Sequence, residues 1–200
     1  MTKHRPDFTT KPTLTAGPLQ LRPFAEADFQ ELLAIISEPT VQRLTGSAAT
    51  TVQAQQPFTP ERLQATVDWY ASRHTQTDRL DLAIHSHDLG KVVGEVVLNE
   101  WDPDNQSANF RILIGEAGRN QGFGSLATQL IVTYAFEYLQ LHRLELEVFA
   151  FNPRARHVYQ KAGFTYEGRR REAFNFDEQW VDSELYAILA SDYFATKRTT

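Results

Sequence analysis

Cysteine is missing from this chain of 200 residues. Its absence excludes disulfide staples, thiolate metal centres, thioether-linked haem and any cysteine nucleophile. An excess of basic charge is missing too: 20 Lys and Arg stand against 25 Asp and Glu, a formal net charge of −5. Duplex-binding domains need a strongly basic face, so no nucleic-acid partner is expected. No apolar run reaches the roughly 18–20 residues of a membrane span. The segment from Met1 to Pro18 carries positive residues with no apolar stretch behind them, unlike a secretory leader. No membrane partner and a cytoplasmic location are therefore expected. Repeats and low-complexity tracts are lacking as well. What is present is a globular composition, 42% hydrophobic and 22% charged with 13 Phe, 7 Tyr and 3 Trp, over a length that suits one domain.

Residues 1–17 are rich in Thr, Pro and Lys without periodicity. They read as a mobile N-terminal arm, or an extended segment lying on the body, ahead of a single domain over 18–200. Leu19-Gln20-Leu21-Arg22-Pro23 alternates like a short strand. Phe29, Leu32, Leu33 and Ile36 recur at helical spacing, and Pro39 just beyond reads as a stop. Residues 45–57 look like a long loop, and Thr59-Pro60 like the start of a helix. Strands are expected over Leu80–His85, Lys91–Trp101 and Ala108–Ile114, then a long helix from about Gly122 to Tyr138. A strand over Arg143–Phe149, a helix from Pro153 to Ala162 and two closing strands, Phe164–Arg169 and Trp180–Leu189, complete a mixed α/β domain.

The informative stretch runs from Gly115 to Ser125, a glycine-containing loop between a strand and a helix. Glycines let backbone approach a ligand, and the first amides of a helix are unpaired donors at the positive end of its dipole. Such a loop can bind a pyrophosphate, with Arg119 adding one charge. Taken alone, a glycine-rich turn is more often only a turn. No Lys-Ser/Thr pair follows the glycines, which excludes a P-loop. The spacing Arg119-x-x-Gly122-x-Gly124, placed after several strands, is not a dinucleotide-binding fingerprint either.

Arg119-x-x-Gly122-x-Gly124 opening a helix resembles the acetyl-CoA loop of the GCN5-related N-acetyltransferases (GNAT). Further on, Asn152-Pro153-Arg154-Ala155-Arg156-His157-Val158-Tyr159-Gln160-Lys161-Ala162-Gly163-Phe164 is similar to the family's Asn-x-x-Ala-x-x-x-Tyr-x-x-x-Gly-Phe segment. Leu21-Arg22-Pro23-Phe24 with Asp28 looks like the branch that modifies ribosomal-protein N-termini, spermidine and related small amines. The similarity covers about residues 19–190, and the two motifs in this order are specific where either alone is not.

The resemblance implies a GNAT-like, mostly antiparallel central sheet of six to seven strands, splayed to admit acetyl-CoA and flanked by helices. It implies that Ile112, Leu113 and Ile114 offer backbone groups to the pantetheine arm, an ordinary buried strand being the plainer reading of those three. Arg119, Asn120, Gln121, Gly122, Phe123, Gly124 and Ser125 would hold the pyrophosphate, and Asn152 would hydrogen-bond the arm. It implies Tyr159 as general acid to the departing sulfur, since a phenol stays protonated at neutral pH. A core aromatic on an amphipathic helix is the alternative. For the base, Glu95 and Glu147 are candidates, each more often a solvated strand face. Many relatives carry Glu where this chain has Asn109, so no base is copied there.

His85, His87 and Asp88 lie in a turn without a distant partner motif, and no metal is expected. Arg169-Arg170-Arg171 reads as a solvated face. Trp69, Tyr70, Phe174, Phe176 and Trp180 would suit a cationic amine through cation–π contact, or serve as core. The expected reaction is acetyl transfer from acetyl-CoA, as co-substrate, to the primary amine of a small molecule or a peptide N-terminus, by direct attack in a ternary complex. The alternative is a non-catalytic CoA-binding sensor or interaction protein of the same fold. The resemblance also allows a homodimer.

Overall fold

The computed structural model describes residues 6–198; residues 1–5 of the expected arm lie outside that range. Eight strands form one sheet: β1 (Leu14–Ala16), β2 (Leu19–Arg22), β3 (Leu80–Ser86), β4 (Lys91–Asp102), β5 (Ser107–Ile114), β6 (Arg143–Phe149), β7 (Thr165–Phe176) and β8 (Gln179–Leu189). They lie in the order β1-β2-β3-β4-β5-β6-β8-β7. Every neighbouring pair is antiparallel except β5 and β6. Six to seven strands were expected. The extra one is β1, three residues of the N-terminal segment paired with β2 from Leu14↔Leu21 to Ala16↔Leu19. No periodicity betrays so short a strand. Its segment is anchored in two further ways. Phe8 is buried against Trp101 at 5.5 Å, and the Lys11 ammonium donates to the carbonyls of Phe8, Gln76 and Arg79 at 2.6–2.7 Å.

The helices are α1 (Phe29–Ile36), α2 (Pro39–Thr45), α3 (Thr51–Gln55), α4 (Pro60–Ser72), α5 (Phe123–Glu137), α6 (Pro153–Lys161) and α7 (Ala190–Lys197). Pro39 opens α2 instead of only closing what precedes it, because a first-turn residue has no intrahelical acceptor for an N–H and proline loses nothing there. The expected loop over 45–57 contains α3, whose start is capped by the Thr50 side chain accepting from the Gln53 amide at 3.0 Å. α4 starts where expected, with Thr59 accepting from the Arg62 amide.

The two faces of the sheet are covered differently. Against one lies α5, whose Ala127, Ile131, Val132, Ala135 and Phe136 are all buried with Leu82, Val96, Leu98 and Phe110 in the larger core. Each large apolar side chain buried there contributes about 1.5–3 kcal/mol. The other face carries a smaller cluster of Leu32, Ile35, Val41 and Tyr70 from α1, α2 and α4 over Ala83 and Val92. No helix among the described residues is long and apolar enough to cross a membrane.

The sheet opens at its one parallel junction. β5 and β6 pair only at Ser107↔Arg143, Ala108↔Leu144 and Asn109↔Glu145. β5 continues to Ile114 against β4 alone, and β6 continues to Phe149 against β8 alone. From Phe110 onward β5 thus presents an unpaired edge to a gap. On its other side it lies flush on β4 at Gly94, where an added Cβ would sit 2.1 Å from the Leu113 carbonyl oxygen. Only glycine permits that approach.

Candidate active site

The gap between β5 and β6 widens into a cleft of about 450 Å³. Its walls include Ile112, Leu113 and Ile114 from β5, Val148 and Phe149 from β6, and Tyr159 from α6. The loop residues Arg119, Gly122, Gly124 and Ser125 form one end. Gly122 adopts φ +78° as the residue before α5, a left-handed conformation that glycine enters without strain. The first intrahelical bond is Leu126 N–H to Gly122 O at 3.1 Å, so the preceding amides are donors without helical acceptors. A concave, glycine-lined helix start with free amides fits an anionic phosphate group.

The side chains of this loop act mostly on the protein itself. Arg119 donates through Nε to the Ile114 carbonyl at 3.1 Å and through Nη2 to Glu38 at 2.7 Å. Glu38 also accepts from the Glu116 amide at 2.8 and 3.0 Å. Phe123 is buried in the core, which leaves only its backbone for a ligand. Asn120 accepts from Arg154 Nη1 at 2.8 Å, and Gln121 donates to the Ala117 carbonyl at 2.5 Å. Asn120, Gln121 and Phe123 do not line the cleft, whereas Arg154 does. Arg154 sits inside the second motif, yet its reach to the loop is visible only once α6 lies beside α5.

Asn152 stands at the start of α6 and lines the cleft. Its Oδ1 accepts from the Ala155 amide at 3.1 Å, so the residue fixes the helix that carries Tyr159. Tyr159 is 8% exposed, edge-on to Phe110 at 6.0 Å and tilted against Phe164 at 6.0 Å. Burial pushes its phenol well above the usual range, so it stays protonated throughout the physiological range. The side chain packs in the core and also lines the cleft.

A second cavity, of about 240 Å³, lies on the α1–α4 face of the sheet. It shares Val41, Thr45, Arg111, Ile112 and Leu113 with the cleft, so the two meet at β5. Glu95 lines it, opposite Leu113 on β5 and Ala83 on β3. Glu95 is not a solvated strand residue. Its Oε2 is buried without a hydrogen-bond partner, and desolvation pushes its carboxyl up to about 7 although the Tyr70 hydroxyl and the nearby Arg111 and Arg79 pull it down. Glu147, the other candidate base, lies on the cleft wall. It is engaged by Arg170 at 2.8 Å and by the Ser183 hydroxyl. Asn109 donates to Asn99 Oδ1 at 2.9 Å and carries no acid–base chemistry.

Of the aromatic residues expected around an acceptor, only Trp69 lines this second cavity. Tyr70 is buried in the smaller core, and Trp180 is 62% exposed. Phe174 and Phe176 stack behind the cleft-lining Phe149 and Phe151, at 4.7 and 6.2 Å. Arg169 pairs with Asp182 and Arg170 with Glu147 along the outer hairpin. His85 and His87 sit 5.4 Å apart ring to ring, and no cluster of metal-ligating side chains exists among the described residues.

Residues 19–165 match the family described as the acetyltransferase (GNAT) domain. A spermidine N(1)-acetyltransferase of Vibrio cholerae is 33% identical over 102 residues, 51% of this chain and 59% of that protein. The match thus spans little more than half of that relative. A Bacillus subtilis protein named "Probable N-acetyltransferase YjcK" is 27% identical over 175 residues, 87% of this chain and 95% of its own length. In three dimensions, the Vibrio cholerae spermidine N-acetyltransferase crystallised with CoA and spermine superimposes with a TM-score of 0.76. That superposition covers 88% of this chain and 98% of the other at 22% identity.

Proposed function

This chain belongs to the GNAT acetyltransferase family, and on that footing we propose that it moves the acetyl group of acetyl-CoA to a primary amine within a ternary complex. One observation carries the reading: the unpaired β5 edge runs along a cleft that has a glycine-opened helix start at one end and the buried Tyr159 in its wall, and that shares Arg111, Ile112 and Leu113 with a second cavity lined by Glu95. Acetyl-CoA supplies an acetyl group activated as a thioester. The backbone of Ile112–Ile114 hydrogen-bonds its extended arm as a neighbouring strand would, and the amides from Gly122 to Ser125, with Arg154, hold its pyrophosphate.

Glu95 accepts a proton from the acceptor ammonium, directly or through a water. Its affinity for protons near neutrality lets it be both deprotonated at rest and basic enough to act. The freed amine attacks the acetyl carbonyl and an N–C bond forms; the tetrahedral adduct releases its second amine proton to water, and the C–S bond breaks. Tyr159 donates its phenolic proton to the departing sulfur and recovers one from solvent. The absence of cysteine agrees with direct transfer, with no acetylated thiol on the enzyme.

The test is CoA release from acetyl-CoA with a panel of amines, set beside acetyl-CoA binding to the same protein and to Tyr159→Phe. Amine-dependent release that collapses in the variant while binding persists is expected. Binding without release for any amine would leave a sensor, and no binding at all would remove the reading.

A further inference from the structure

The second cavity is lined by cations. Arg62, Arg79 and Arg111 all face it, and Glu95 is the only acid in its lining. Arg79 is held in a two-point contact by Asp81, through Nε and Nη2 at 2.7 Å each, which leaves the Nη1 donors unspent. Arg62 and Arg111 have no carboxylate partner among the described residues; the guanidinium of Arg62 lies over the Phe58 ring at 3.7 Å.

The two aromatic rings in this lining, Phe58 and Trp69, are already met by the protein's own arginines. Arg73 and Arg79 lie 4.2 and 5.3 Å from the Trp69 ring, and Arg43 lies 4.8 Å from Phe151. A polyamine entering here would meet three guanidiniums and find one carboxylate, itself needed as the base. An acceptor with a negative group beside its amine meets the opposite situation. Its anion is received by forked N–H donors, and its amine is left to the Glu95 carboxylate in the cavity lining.

We propose that the acceptor is a small acidic amine, in which a carboxylate or phosphate lies within a few bonds of the amino group and is bound by Arg111 and Arg62 while the amine is presented to Glu95. This rests on the acetyl-transfer reading above and narrows it. The small volume of the cavity, about 240 Å³, favours a free small molecule over a folded protein terminus. Arg111 is central because it belongs to both cavities, so the anion it holds fixes the amine at the mouth of the cleft.

The experiment compares kcat/KM for matched amines with the full chain and acetyl-CoA: phosphoethanolamine against ethanolamine, glycine and β-alanine against glycinamide and β-alaninamide, spermidine, and a short peptide with an acidic N-terminal residue. The expected result is a preference of about 10- to 100-fold for each acidic amine over its neutral partner, the range of one or two charge-assisted hydrogen bonds. Which of phosphate and carboxylate wins identifies the anion. In Arg111→Gln and Arg62→Gln the ratio of kcat/KM for the acidic amine to that for its neutral partner should collapse, with the loss in KM for the acidic amine. Both arginines are surface-accessible, and the melting temperature of each variant checks its fold.

Three results would overturn the proposal. Spermidine turned over at least as well as the acidic amines defeats the acidic acceptor and leaves acetyl transfer standing, as does an unchanged preference in both variants. A peptide that outcompetes every free small molecule defeats the small-molecule assignment. Failure of every amine, with acetyl-CoA bound, defeats the acetyl-transfer reading and this proposal together.

Discussion

The two cavities that meet at β5 are built from opposite materials. The cleft between β5 and β6 is a construction of backbone: an unpaired strand edge, a glycine in a left-handed turn and the bare amides of a helix start. The cavity on the other face is a construction of side chains, with charges gathered from α4, the residue just before β3, β4 and β5. Backbone can recognise a group common to many reactions, because amide donors are the same in every chain. Side chains discriminate, because each is a choice.

Removing the proposed proton donor of the cleft should have the largest effect. In Tyr159→Phe the ring stays packed on Phe110 and Phe164 while the proton donor is lost, so kcat should drop by about 10²-fold or more at little cost in acetyl-CoA affinity. Steady-state rates beside calorimetric binding check this, and a variant of near-normal rate would return Tyr159 to a packing role alone.

Glu95→Gln comes next. In the unaltered protein kcat/KM should rise with pH and level off above about 7, where Glu95 is deprotonated. The variant should be slower by about 10²-fold and lose that inflection. The same residue has a stability signature. Its folded pKa lies above the ordinary 4.5, so the folded state binds the extra proton. The stability this lends is fully present below about 4.5 and is lost as pH rises to about 7. Thermal melts should therefore show Glu95→Gln stabilised relative to the parent at pH 8 and hardly changed at pH 4. Equal melting shifts at both values would contradict the burial of that carboxylate.

Smaller effects belong to the backbone side. Gly122→Ala meets no neighbour within 4 Å; its cost is the left-handed φ alone, about 1 kcal/mol. Turning the helix start should raise KM for acetyl-CoA by about two- to five-fold and leave acceptor preference untouched. A change in which amine is preferred would show the two cavities to be less separable than their construction suggests. Arg154→Ala, which frees Asn120 at the surface, should raise the same KM by only about twofold, with the difference fading at high salt. An increase that persists in high salt would point to a packing role for that side chain.

The division between backbone and side chains also explains what could be read from the sequence. A backbone site needs a local pattern, and Arg119-x-x-Gly122-x-Gly124 displays it within six positions. The strands that flank the site follow from short-range alternation, and β6 falls at Arg143–Phe149 as expected. The acceptor cavity offered no such pattern. Arg62, Arg79, Glu95 and Arg111 are far apart in the chain, and nothing in an isolated Arg at 111 tells whether it will find a carboxylate. The five aromatic residues pointed to a cation, yet Tyr70 is core, Trp180 is exposed away from the cavity, and the Trp69 and Phe176 rings are met by Arg73, Arg79 and Arg43. Arg119 misled in a different way. It looked like a free charge for phosphate and is instead half spent on Glu38, some eighty positions upstream.

That tie between Arg119 and Glu38 has a kinetic consequence. Glu38 immediately precedes α2, the helix that brings Val41 and Thr45 to the boundary between the cavities, and its carboxylate holds the loop ahead of α5 proposed to receive the carrier. One side chain therefore ties the loop at one end of the cleft to the start of the helix that walls the second cavity. Two substrates that share such a brace are not expected to add at random. Initial rates measured over a grid of both concentrations should give intersecting lines with a preferred order of addition, the carrier first, and Glu38→Gln should relax that order before it lowers the maximal rate.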